Sequence, residues 1–245
     1  MMIMVTKTKV KIDFSAPHQE YFVNGQQVAG TTTALRELNK PALLWWAWKE
    51  GKEGRSLNQK RDAAANIGTI AHEILCGRDK GYQIDNSNIA PDAWKAALDC
   101  VASYDSWAKG MDIKTLGAEV QLVSETYLYG GTLDKIAEVN GVPTLIDYKT
   151  GKSIYEEYFY QLAAYSQLAI ENGYGIQKAI IVNIPKSSED NFKVESMPVK
   201  SLFEHGYLDV FLGALKIYYA KKQIKDYKNG DKKDDFYEYT KEVSD

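Results

Sequence analysis

Apolar positions along this chain of 245 residues recur with two periods. A helical spacing runs through 62–75 (DAAANIGTIAHEIL), 91–109, 155–171 and a long amphipathic segment from Ser201 to Ile224. Pro91 suits a first helical turn, and Gly110 and Asn172-Gly173 read as stops. A looser alternation predicts strands over about 117–128, 131–139 and 143–149 as an antiparallel meander, then over 178–185 and 192–199. Asn140-Gly141 marks a hairpin turn and Gly130-Gly131 a kink.

The N-terminal part reads differently. Residues 8–30 alternate loosely around Asn24-Gly25, which predicts a small antiparallel ribbon. Thr31–Thr33 can cap a helix, Pro41 interrupts it, and PALLWWAWKEG restarts it. Trp45, Trp46 and Trp48 cannot share one face, so either two are core and one covers an edge, or they form a base-stacking platform. The charged run from Lys49 to Arg61 is a solvated face or a basic loop against a phosphate backbone. The mixed-charge tail after 225 is expected to be frayed.

Composition narrows the class. Thirty basic and thirty-three acidic residues leave a net charge of -3, which opposes a protein that coats nucleic acid but permits a nuclease with metal-binding carboxylates. Cys76 and Cys100 are too few for a four-cysteine zinc or iron–sulfur site and are expected to be reduced and buried. MMIMV is too short for a signal sequence, and no apolar run reaches the ~18 residues of a membrane span. A cytoplasmic, membrane-free protein is expected, organised as a single domain. That domain would have a core at about 64–200, an N-terminal ribbon and helices at 1–63, and a C-terminal helix and tail at 201–245.

The chemistry concentrates in 130–165. Asp147 and Lys149 are two apart on a strand, so both emerge on one face, while Tyr148 points the other way and keeps its backbone carbonyl available as a ligand. Counting outward from the 140–141 turn places Asp134 opposite about 147. Two carboxylates at that spacing, with water and phosphate oxygens, suit Mg2+. Lys149 beside them could orient a water or stabilise charge on a phosphate. Glu119 is a further candidate ligand. Gln161 and Tyr165, four apart, share a helix face. His72 borders the apolar face formed by Ala64, Ile67, Ala71, Ile74 and Leu75, where a lone histidine is ordinarily structural.

Taken together, His72, Asp134, the D-Y-K triplet at 147–149 and Gln161-x-x-x-Tyr165 resemble the PD-(D/E)XK nuclease superfamily, in particular its RecB-type exonuclease branch. The resemblance covers roughly 64–185. It implies an α/β (α+β) fold with a restriction-endonuclease-like core, a mixed central sheet of about four to five strands flanked by helices. It further implies His72, Asp134 and Asp147 as metal ligands and Lys149 as the catalytic lysine, with Gln161 and Tyr165 positioning substrate. The Tyr148 carbonyl and Glu119 are additional ligands.

The implied activity is Mg2+-dependent DNA hydrolysis from an end by a metal-activated water, with Mn2+ as a substitute ion. It would serve recombination, repair or degradation, in a chain that could be phage-encoded. DNA with a free end is the expected partner, together with a recombination or replication protein. The chain lacks the cysteine quartet of some relatives and any Walker A loop, so neither an iron–sulfur cluster nor an ATP site is expected. The alternatives are a non-catalytic module holding DNA ends on the same fold, and a sequence-specific endonuclease.

Overall fold

The computed structural model describes residues 8–14, 19–38, 48, 52, 57–184 and 192–229. Trp45, Trp46, most of the 49–56 run and the tail from 230 lie outside the described residues. Trp48 is exposed with Lys52 over its ring, 5.2 Å from the centroid.

The elements in chain order are β1 (Lys9–Lys11), β2 (Tyr21–Val23), β3 (Gln26–Gly30), α1 (Thr31–Leu35), α2 (Leu57–Lys80) and β4 (Gln83–Asp85). There follow α3 (Pro91–Ala108), β5 (Ile113–Ser124), β6 (Tyr129–Val139), β7 (Val142–Lys149) and α4 (Glu156–Glu171). The chain closes with β8 (Lys178–Asn183), β9 (Lys193–Pro198), α5 (Val199–Glu204) and α6 (Tyr207–Asn229). The fold is a mixed α/β arrangement whose sheet is flanked by helices. Strands β2-β3-β6-β7-β8-β9 run in that order, with β5 also on β6, giving seven strands, more than the four or five expected. The additional strands are the N-terminal hairpin, which joins the sheet through a short parallel pairing of Ala29 and Gly30 with Tyr129 and Gly130. β1 and β4 form a separate parallel pair.

Both asparagine–glycine turns have positive φ at each residue, 49° and 78° at Asn24-Gly25 and 50° and 79° at Asn140-Gly141. That is the backbone of a tight two-residue hairpin, whose twist matches its strands. The glycine pair at 130–131 is not a kink. It lies inside β6, and the reversal comes earlier, in 125–128, where Leu128 takes φ 57°. A Cβ on Gly130 would stand 2.3 Å from the Tyr21 ring and one on Gly131 would stand 2.6 Å from Tyr165, so both glycines are set by aromatic rings lying on the strand.

Two apolar layers enclose the sheet. On one side Leu133, Ile136, Leu145 and Ile181 pack against Leu162, Ala163 and Leu168 of α4 and Phe211 and Leu215 of α6. On the other, Ile146, Tyr148, Ile180 and Val182 meet Ile70, Ala71 and Ile74 of α2 and Ala97 and Val101 of α3. Leu162 and Leu168 are fully buried, and truncating either to alanine costs about 2–5 kcal/mol. Helix α2 runs well past the expected 62–75 at both ends, so residues 57–61 are helical rather than loop. The C-terminal helix is two helices, because Gly206 at φ 80° terminates α5 before α6 begins.

Candidate metal and phosphate site

The site forms where the sheet forks. One edge of β6 is paired with β5 along its length. The other edge pairs with β7 over 135–139 and with β3 over 129–130, leaving 131–134 between the two. Continuing the β6–β7 register one step places Asp134 opposite Asp147, as expected from the turn. There the Tyr148 backbone N–H donates to Asp134 Oδ2 at 2.7 Å.

On the other side of β6, Glu119 stands opposite Asp134, since Ala118 pairs with Lys135 and Val120 with Leu133. Glu119 has φ 50° in the middle of a strand, a left-handed conformation that costs a non-glycine residue roughly 1–2 kcal/mol. α2 brings His72 between these carboxylates. Its Nε2 is 3.0 Å from Asp134 Oδ2 and its Nδ1 3.1 Å from Glu119 Oε1. One ligand atom from each of the three lies within 4.8 Å of the others. The Tyr148 ring meets His72 edge-on at 5.6 Å and Tyr104 at 5.4 Å, bracing the imidazole from the α3 side.

Asp147 and Lys149 face α4. Lys149 Nζ is 2.6 Å from Asp147 Oδ2 and donates to Gln161 Oε1 at 2.9 Å, and Gln161 Nε2 donates to the Tyr165 hydroxyl at 2.9 Å. The expected residues therefore form two adjoining groups. His72, Glu119 and Asp134 make the three-ligand cluster, whereas Asp147 is engaged with Lys149 beside it. Despite the ion pair, neither Asp147 oxygen, both buried, has a hydrogen-bond partner of acceptable geometry.

The charges perturb one another. Burial pushes the Asp147 carboxyl up to about 6; Lys149 opposes that shift and the neighbouring Asp134 charge adds to it. Burial would also raise Asp134, but the His72 charge, Lys149 and the Tyr148 N–H outweigh it and hold Asp134 below the usual carboxylate range. For His72, burial favours the neutral ring, yet Asp134 and Glu119 prevail and hold the imidazole well above its ordinary value.

A hard divalent cation fits this set. Carboxylate oxygens and one imidazole nitrogen converge, and beside them both buried Asp147 oxygens lack a hydrogen-bond partner of acceptable geometry. Glu119 also borders an open polar cavity of about 360 Å3, lined by Gln19, Glu73, Lys80, Tyr82, Gln121 and Thr132.

Two neighbours of Lys149 escaped the sequence reading. The Tyr158 ring lies 5.2 Å from its ammonium, within cation–π range. Tyr158 is three residues before Gln161 on the same helix, a spacing that could have revealed it. Buried Asn183 holds the loop after the D-Y-K triplet, accepting from Gly151 N at 3.2 Å and donating to Gly151 O at 3.0 Å. Nothing local marks that asparagine, because its partner lies 32 residues away. Cys76 and Cys100 are both buried and are not joined in a disulfide, as expected.

No protein-family model matches the chain, and no curated protein matches it. Among solved structures, an exonuclease candidate from Eubacterium rectale aligns at 15% identity over 67% of this chain and 68% of its own, with a TM-score of 0.44. The alkaline exonuclease LHK-Exo of Laribacter hongkongensis aligns at 14% identity over 81% and 94%, with a TM-score of 0.36. The same enzyme in complex with dAMP gives 16% over 66% and 92%, at 0.33. These structural neighbours are thus one exonuclease candidate and one alkaline exonuclease. Among the described residues, no helix is long and apolar enough to cross a membrane.

Proposed function

We propose that the protein is a metal-dependent DNA exonuclease of the PD-(D/E)XK type, of the RecB-like branch, built as one catalytic domain. The observation that supports this most strongly is the paired arrangement around β7. A half-buried Asp147–Lys149–Gln161–Tyr165 chain stands beside a three-ligand His72–Glu119–Asp134 cluster. An ion pair held only for stability gains little when buried, because desolvation offsets its attraction.

In this reading His72, Glu119, Asp134 and Asp147 hold Mg2+ or Mn2+, with the Tyr148 carbonyl as a further oxygen. When bound, the ion polarises a phosphodiester and lowers the pKa of a coordinated water. Lys149 presents an ammonium to the attacked phosphate, positioned by Gln161 and by the Tyr158 face. Asp134 is fixed by the Tyr148 N–H, so its second oxygen can turn to the ion. The cavity beside Glu119 gives a DNA terminus a polar wall. Work on free DNA ends, alongside a recombination or replication protein in a cellular or phage setting, belongs to the same proposal.

The test is digestion of end-labelled single-stranded and blunt duplex DNA, beside a covalently closed circle, with Mg2+, Mn2+ or chelator. Metal-dependent loss of the linear substrates alone is expected, with Lys149→Ala and Asp147→Ala each reducing the rate about 100–1,000-fold, the scale of an electrostatic catalytic group. Binding without cleavage would instead identify an end-holding module. Cleavage of the closed circle would identify an endonuclease.

A further inference from the structure

Helix α6 is apolar on two opposite faces. Phe211, Ala214 and Leu215 are buried in the core, with Tyr218 and Tyr219 packed beside them. On the far side Val210, Ile217 and Ile224 recur every seven residues at 38%, 46% and 55% exposure, and Tyr227 is 85% exposed. Gly213 and Ala220 fall three residues after Val210 and Ile217, as Tyr227 does after Ile224, and both are exposed. A Cβ added to Gly213 would meet nothing within 4 Å. At roughly 100° per residue, these six positions fill an arc of about 100° facing away from the core. This is the a/d seam of a coiled coil, carried through two and a half repeats on a helix whose other side is already packed.

We infer that this seam binds the same seam of a second copy of the chain, antiparallel, as a two-helix interface. The sizes along it carry the choice of occupant. An antiparallel pair centred between Tyr218 and Tyr219 sets Ile217 against Ala220 of the second copy, Gly213 against Ile224 and Val210 against Tyr227. Each layer thus joins a larger side chain to a smaller one, which is how facing helices interdigitate without overpacking. A parallel pair would instead stack Gly213 on Gly213 and Ala220 on Ala220, leaving two holes.

Charge agrees with the antiparallel choice. Asp209 at the start of α6 comes to the end of the other helix that carries Lys225 and Lys228, and the two helix dipoles oppose. Lys221, which borders the seam, is already turned to Glu37 at 2.5 Å. Contact along about 26 Å of helix covers on the order of 1,000 Å2 in total, at the small end of specific interfaces, so the dimer is weak and concentration-dependent.

The test is sedimentation equilibrium of the full chain from roughly 5 to 200 µM, the range in which so small an interface dissociates. A monomer–dimer equilibrium is expected. Ile217→Ala opens a hole and Ala220→Ile overfills the layer, so each alone weakens the dimer at least ~tenfold. The double variant exchanges the two sizes and returns the affinity to within about threefold of the wild type, a coupling that independent sites do not show. Both positions are exposed, so circular dichroism of every variant is expected to match the wild type.

A monomer throughout the range overturns the proposal, including one whose seam is covered by residues 230–245 of its own chain. So does a dimer indifferent to Ile217→Ala, or one that the double variant fails to restore.

Discussion

Glu119 stands opposite Asp134 across the β5–β6 ladder and reaches His72 from there with its backbone at φ 50°. Among the described residues the other non-glycine positions with positive φ, Asn24, Leu128 and Asn140, lie in turns. Glu119 alone among them takes that conformation within a strand, at the point where two carboxylates and an imidazole converge. Strain of this kind persists where surrounding structure enforces it. Replacing Glu119 with glycine should give a protein about 1 kcal/mol more stable than Glu119→Ala, because only glycine enters that region freely. Both variants should lose Mn2+ affinity, by equal amounts. Equal melting curves for the two would show that the residue carries no strain.

The pH dependence of the metal-free fold has a defined direction. Asp147 has a folded value of about 6 against 3.8 ordinarily, so its contribution to stability is complete below 3.8 and is lost as pH rises through 6. His72, held well above 6.5, contributes fully below 6.5 and loses that contribution as pH rises through its elevated value. Asp134 acts in the opposite sense, but it is depressed below 3.8 and already ionised across the neutral range. Between about pH 5 and 8 the metal-free wild type should therefore lose more stability than Asp147→Asn, as read by thermal melting in chelator. A divalent cation should stabilise the wild type more at pH 8 than at pH 6, because it binds the deprotonated ligands. Parallel pH profiles for wild type and Asp147→Asn would contradict the Asp147 shift.

How much of this was legible depends on the range of each contact. The two hairpins and the Asp134–Asp147 register follow from local turn chemistry, and Gln161 with Tyr165 from helical spacing, so short-range rules reached them. The fork of the sheet was not legible, because the pairing of β3 with β6 joins residues a hundred positions apart and involves only two register pairs. Nor was the meaning of Gly130-Gly131. Two glycines in a strand read as a kink until the Tyr21 and Tyr165 rings are seen lying against them. The glycine that ends α5 was inside a segment whose apolar spacing continues past it, so periodicity hid the break. The second apolar face of α6 was hidden the same way, since a helix apolar on two sides reads as one amphipathic run.

Tyr158 contributes its ring face rather than its hydroxyl to Lys149. The phenol is pushed up to about 12, chiefly by burial, so it stays neutral at any working pH. Tyr158→Phe keeps the π face and should retain hydrolysis within about threefold. Tyr158→Leu keeps an apolar, though smaller, side chain but loses an attraction of about 0.5–2 kcal/mol, which corresponds to roughly 2–30-fold. The loss should fall on kcat rather than KM if Lys149 acts on the transition state. An unchanged rate in Tyr158→Leu would remove Tyr158 from the site and leave it as packing.

Gly131 tests whether Gln161 and Tyr165 must stay in register with β6. A Cβ there would stand 2.6 Å from Tyr165 Cε1, 3.0 Å from Leu168 Cδ1 and 3.0 Å from the Thr31 hydroxyl, so three neighbours on two helices resist it. Tyr165 is buried and, among the described residues, hydrogen-bonded through Gln161, whose carbonyl holds Lys149, so it yields by moving the whole chain of contacts. Gly131→Ala should cost about 1–3 kcal/mol, the usual scale of overpacking, and reduce hydrolysis by more than its folded fraction predicts. The double variant Gly131→Ala with Tyr165→Phe separates packing from positioning. Removing the hydroxyl does not relieve the ring clash, so the melting temperature should stay low. If stability recovers fully on loss of the hydroxyl, the clash is not with the ring and the geometry at Gly131 is wrong.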